Sequence, residues 1–197
     1  MTSIRSSDKR KFEVGLGTYT TAVLVKPEDT FRFDCLRCGA CCSHPPSIIP
    51  KESRAAAKRM GMSSEGFFDS YVVLEPNIYC GYLAVFDRVG DECIFYSKEK
   101  GKASCRIHGA KPNLCRSKPV MRYGSDANPS MEAMKILFEP CRGFGRGGEQ
   151  TVGEWIEKNG LKESWQEDFK YYSTLEKMLK SKPLAEVEKN VREMFTE

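Results

Sequence analysis

The stretch Cys35-Leu36-Arg37-Cys38-Gly39-Ala40-Cys41-Cys42 sets four thiols within eight consecutive residues, the last two adjacent. Such density has three chemical uses: a disulfide knot, a metal or iron–sulfur site, or a reactive thiol pair. The chain of 197 residues suits one domain with an appendage and can bury a core without disulfide staples. Its amino terminus lacks an apolar core of signal-peptide length, and no later run approaches a membrane span, so a soluble cytoplasmic protein is expected. In that reducing compartment spaced cysteines point to metal binding or catalysis, and nine is an odd count for a disulfide framework.

C-x2-C puts two thiolates on one tight loop so that both reach one ion, and Gly39 lets the backbone turn closely around it. Adding Cys41 makes C-x2-C-x2-C, the spacing by which ferredoxin-type loops supply three thiolates to one cluster. A tetrahedral zinc could take some of the same thiolates. Neighbouring side chains diverge, so Cys41 is expected to continue the Cys35 and Cys38 set while Cys42 faces a second site or solvent. The remaining ligands are expected to come from Cys93, Cys105, Cys115 and Cys141, which lie on separate strands and loops and should converge on the first loop. Eight thiols suffice for two four-thiolate sites. Cys80, in Ile78-Tyr79-Cys80-Gly81, belongs to no spacing and reads as an inert buried thiol. His44 and His108 follow cysteines closely enough to ligate zinc, although solvent exposure is the commoner fate of such histidines. Arg37, Arg106 and Arg116 flank cysteines, where their charge would offset excess thiolate.

The elements read as α+β: a small cysteine-ligated metal-binding core with short antiparallel strands and a C-terminal helical segment. β-branched and aromatic residues suggest strands over Thr18–Val25 and Thr30–Asp34, leading into the cysteine loop. Pro50 opens a helix that Gly61 stops, and Ser63 or Ser64 caps a second one. Tyr82–Arg88, Cys93–Ser97 and Ser104–His108 read as an antiparallel unit, Lys111–Arg116 as one helical turn, and Met131–Pro140 as a strand. The run Gly143–Gly148 lacks the Lys-Ser/Thr ending of a phosphate loop and reads as a flexible turn.

After Thr151, whose T-x-x-E pattern with Glu154 forms a capping box, apolar residues recur at helical spacing through Leu179 and again after Pro183, so two or three helices are expected. The expected organisation is a flexible segment over 1–12, a cysteine-cluster domain over 13–150, and a helical extension over 151–197. Packing on the protein's own core is the expected use of the helical stripe, with a protein partner as the alternative. Residues 1–150 carry 23 basic and 17 acidic side chains, the remainder 8 and 10. No dense basic run accompanies that small excess, which argues against nucleic acid.

Phe33–Cys42, the helix-forming segment from Ile48 to Val72, Cys93-Ile94-Phe95-Tyr96, Cys105–Pro119 and Cys141–Gly148 together resemble the YkgJ-type CxxCxxCC family of zinc- or iron-chelating domains with eight cysteines. The likeness covers roughly residues 31–148 through the order and spacing of its cysteines. It implies that Cys35, Cys38, Cys41, Cys42, Cys93, Cys105, Cys115 and Cys141 are the metal ligands and that Cys80 is extra. The family often has C-P-F-L where this chain has Cys93-Ile94-Phe95-Tyr96, and an arginine before proline where it has Lys111. A similar module accompanies flagellin lysine N-methylases, for which this chain is short.

The expected function is therefore a metal-binding protein with an iron–sulfur cluster, 4Fe–4S favoured, or Zn²⁺, and redox activity in the former case. The rivals are a cluster-dependent modifying enzyme such as a protein lysine methyltransferase, and a structural zinc module binding protein or RNA. No paired carboxylates or nucleophile–base pair in the sequence names a substrate.

Overall fold

A computed structural model describes residues 22–122, 134–137 and 142–197. The expected flexible segment 1–12 and Cys141 lie outside the described residues. Strands β1 (Ala22–Val25) and β2 (Thr30–Phe33) precede the cysteine loop, and helices α1 (Pro50–Met60) and α2 (Ser64–Tyr71) follow it. Three antiparallel hairpins come next: β3 (Val72–Asn77) with β4 (Gly81–Phe86), β5 (Arg88–Val89) with β6 (Glu92–Cys93), and β7 (Tyr96–Glu99) with β8 (Lys102–Cys105). The one-turn α3 (Asn113–Ser117) leads to β9 (Val120–Arg122), β10 (Met134–Leu137) and β11 (Phe144–Thr151). Helices α4 (Val152–Lys158), α5 (Leu161–Ser181) and α6 (Leu184–Thr196) complete an α+β chain. Among the described residues no helix is long and apolar enough to cross a membrane.

The chain divides into two compact units. The first takes in the described residues up to Cys38 and those between Ser117 and Trp165. It holds the three-stranded sheet β1-β10-β9 and the pair β2-β11, all antiparallel. Its core is Val25, Phe31, Phe33, Val120, Val152, Ile156, Leu161 and Trp165, with Trp155 edge-on to Phe31 and Phe33. The indole of Trp155 donates to Ser117 O at 3.0 Å, so the ring buries its apolar body without orphaning its N–H.

The second unit comprises Gly39–Arg116 and Gln166–Glu197. Helices α1, α2 and α6 and the β3–β4 hairpin enclose a core that includes Ile48, Phe67, Phe86, Phe95, Ile107, Leu175, Val187, Val191 and Phe195. The expected packing of the helical stripe on the protein's own core is thus what α6 does with Val187, Val191 and Phe195. Local signals set the helix ends. Pro50 occupies the first turn of α1 and Gly61 ends it at φ 69°, while Ser63 Oγ caps α2 by accepting Gly66 N.

The tail forms three helices, within the two or three expected, with α4 and α5 separated at Asn159–Gly160, where Gly160 takes φ 59°. Two readings needed tertiary information. Gly143–Gly148 is not a free turn, because much of it runs in β11, whose pairing with β2 shifts register between Phe144 and Glu149. There the missing side chains matter: a β-carbon on Gly147 would stand 3.1 Å from Phe33 O, and one on Gly143, just before the strand, would collide with Asp34 O. Cys93–Ser97 is divided between β6 and β7, because Phe95 leaves the strand line for the core. It stacks on Phe67 at 5.8 Å and meets Phe86 edge-on at 4.8 Å.

Candidate metal centre

The C-x2-C loop turns through two left-handed residues, Arg37 at φ 51° and Gly39 at φ 83°. For Arg37 that conformation is strained; for glycine it is free. Cys35 and Cys38 are solvent-exposed and belong to the first unit.

Past Gly39 a short 3-10 turn runs over Ala40–Ser43, closed by Cys42 N donating to Gly39 O at 2.8 Å and Ser43 Oγ donating to Ala40 O at 2.8 Å. This turn alters the expectation for the adjacent thiols. Helical backbone rotates successive side chains by roughly 100–120° where an extended strand alternates them, so two short side chains can keep company. Cys41 and Cys42 share a hydrogen bond; Cys115 and Cys105 act on Cys42, and Cys41 acts on Cys93 and Cys115.

Those distant thiols are placed by hairpins and by α3. Cys93 ends β6, paired with Arg88, and Cys105 ends β8, paired with Tyr96. Between them Phe95 is fully buried, and Arg106 lies over its ring at 5.6 Å while donating to Ile94 O at 2.7 Å. Cys115 rides on α3, where Cys115 N and Arg116 N both donate to Pro112 O at 3.0 Å.

Electrostatics group these five thiols. The Cys42 thiol is held far above its usual range, first by its hydrogen bond to Cys41, then by burial and by the charges of Cys41, Cys115 and Cys105. Burial raises Cys93, and Cys105 and Cys41 add to the rise while the Phe95 backbone and Arg106 oppose it. Cys115 is pushed up to about 12, by burial first and then by Cys41, Cys93 and Cys105, with Lys111 in partial opposition. Crowded thiols resist ionising beside one another; a bound metal reverses that logic, since a coordinating thiol is deprotonated outright. Soft thiolate donors are also the set that zinc and iron–sulfur clusters select. Among the described residues, however, no three His, Cys, Asp or Glu side chains are gathered closely enough to hold an ion. The five are neighbours in one unit, without a closed coordination sphere.

The other candidates separate cleanly. Cys80 is buried and donates weakly to Asn77 Oδ1 and Tyr82 O, each at 3.4 Å, as befits an inert thiol. His44 is exposed with its Nδ1 3.0 Å from Ser43 Oγ, and His108 is exposed. The sequence reading missed a carboxylate, Glu52. Its Oε2 accepts Ile49 N at 3.0 Å and its Oε1 accepts Asn113 N at 2.5 Å. An acid three residues into a proline-led helix was the available signal, but it points only to Ile49, not to Asn113.

Comparison with the curated proteins and with the solved structures produced no match. The profile of one family matches residues 34–142, an interval that contains all eight cysteines of the spacing pattern, and its description is "putative zinc- or iron-chelating domain". With more than half of its length in that match, the chain belongs to the CxxCxxCC family of metal-chelating domains.

Proposed function

We propose that the chain holds an iron–sulfur cluster, with zinc as the competing occupant, and that its eight patterned cysteines are the ligands. The observation that carries this reading is the mutual action of Cys41, Cys42, Cys93, Cys105 and Cys115 within one compact unit of a zinc- or iron-chelating domain. Five thiols are enough for a complete four-thiolate site in that unit alone. Cys35, Cys38 and Cys141 are proposed as the remaining ligands. The C-x2-C-x2-C spacing favours a cluster over zinc, and a cluster would supply one-electron redox chemistry. Arg106, beside Cys93, and Lys111, beside Cys115, offset part of the thiolate charge that either occupant brings.

Anaerobic purification followed by metal and acid-labile sulfide analysis tests the proposal. Brown protein with iron and sulfide in equal amounts supports the cluster. Colourless protein with stoichiometric zinc replaces the cluster by the structural metal, and protein that retains neither overturns the ligand assignment.

A further inference from the structure

The geometry points to Glu52 as the residue that positions Cys115, its carboxylate tying the cysteine-bearing turn α3 to the start of α1. This inference rests on the thiolate-site reading above.

A single helical turn cannot hold itself, because nucleating it fixes several residues for very few hydrogen bonds. Its first N–H groups also lack intrahelical acceptors. In α3 the acceptor is supplied from 61 residues away, by Glu52 Oε1 to Asn113 N. The other oxygen of the same carboxylate accepts Ile49 N at 3.0 Å, so one side chain serves the N-termini of two helices. Asn113 is only 4% exposed, and its side chain is held as firmly as its backbone. Nδ2 donates to Asp168 Oδ1 on α5 at 3.1 Å, and Oδ1 accepts from Arg116 across the turn. Glu52 and Asp168 therefore grip α3 from two core helices, two residues before Cys115. Cys93 and Cys105 need no such device, since both stand on ladders of paired strands.

Groups that orient a metal ligand without touching the metal typically change affinity by about 10–100-fold when removed. The test uses the full chain as purified, comparing wild type, Glu52→Gln, Asp168→Asn and Ser63→Ala. The last removes the cap of α2 and leaves α3 alone. Two quantities are measured: iodoacetamide labelling of each cysteine by peptide mapping, and the rate of metal loss to a chelator.

In Glu52→Gln, Cys115 is expected to label roughly tenfold faster, ahead of Cys93 and Cys105, and metal is expected to leave at least about tenfold faster. Asp168→Asn should show a smaller change of the same kind, and Ser63→Ala none at Cys115. Should Glu52→Gln fail to fold, Asp168→Asn carries the comparison against Ser63→Ala. Unchanged Cys115 labelling in the carboxylate variants, or equal acceleration in Ser63→Ala, overturns the positioning role. Faster labelling with wild-type metal retention would leave a clamp on α3 that has no part in chelation, which also overturns it. Wild-type protein that carries no metal sinks the chelation reading instead, and the labelling comparison still judges the clamp.

Discussion

Tyr96 occupies the space that a side chain on Gly39 would need: a β-carbon there would stand 2.9 Å from Tyr96 Cε2 and 3.2 Å from Ala103 Cβ. The β7–β8 hairpin thus approaches the 3-10 turn of Cys41 and Cys42 against bare backbone, held at φ 83°. Gly39→Ala should cost about 2 kcal/mol, roughly half from the left-handed backbone and the rest from the contact. Adding Tyr96→Ala should relieve only the contact part. A double-mutant cycle by thermal denaturation checks this, and a coupling below about 0.5 kcal/mol would mean that the two residues are independent.

Cysteine replacements should divide into two classes by metal content. Cys93→Ser and Cys115→Ser are expected to lose metal and, with it, the folding energy that binding contributes. Cys80→Ala, which removes a buried sulfur that makes only weak hydrogen bonds, should keep its metal and cost about 1 kcal/mol. Elemental analysis of the three purified variants is the measurement. Equal depletion in Cys80→Ala would bring the ninth thiol into the site.

Phe95 anchors the segment between Cys93 and Cys105 through contacts with Phe67, Tyr71 and Phe86. Phe95→Ala should cost about 3–5 kcal/mol, from lost burial and the cavity left behind. Phe95→Leu should recover more than half of that. Denaturant midpoints of the two variants decide the matter, and a loss under about 1 kcal/mol in Phe95→Ala would show that the anchor lies elsewhere.

Burial raises the Glu52 carboxyl from 4.5 to about 7, with Asp168 adding to the rise and the N–H groups of Asn113 and Ile49 and the charge of Arg116 opposing it. Because the folded protein binds this proton more tightly than the unfolded chain, Glu52 lowers stability as pH climbs from 4.5 to about 7, and the effect is flat above that. The whole change amounts to at most about 3 kcal/mol. Wild type should therefore lose stability relative to Glu52→Gln between pH 5 and pH 8, a comparison that cancels titrations common to both. Paired denaturation curves at the two pH values check the sign; a constant difference would mean that Glu52 titrates normally.

Much of the local structure is written in short windows of sequence. Pro50 and Gly61 bound α1, Ser63 caps α2, and Thr151 with Glu154 opens α4, because each signal acts within one turn of itself. The donor chemistry is equally local: thiol type and spacing around Gly39 are enough to indicate metal chelation. What distance in sequence conceals is partnership. The packing that groups Gly39–Arg116 with Gln166–Glu197 joins segments far apart in the chain; the apolar stripe of the tail indicates that it packs on a core, but not which segment supplies that core. Cys41 and Cys42 keep company through a 3-10 turn that an alternating-strand argument does not foresee, and Phe95 divides an apparent strand because the core beneath it takes the ring. The tie from Glu52 to Asn113 depends on helix packing that brings a carboxylate to a bare N–H, so only the tertiary structure decided which acid would stand beside the turn of Cys115.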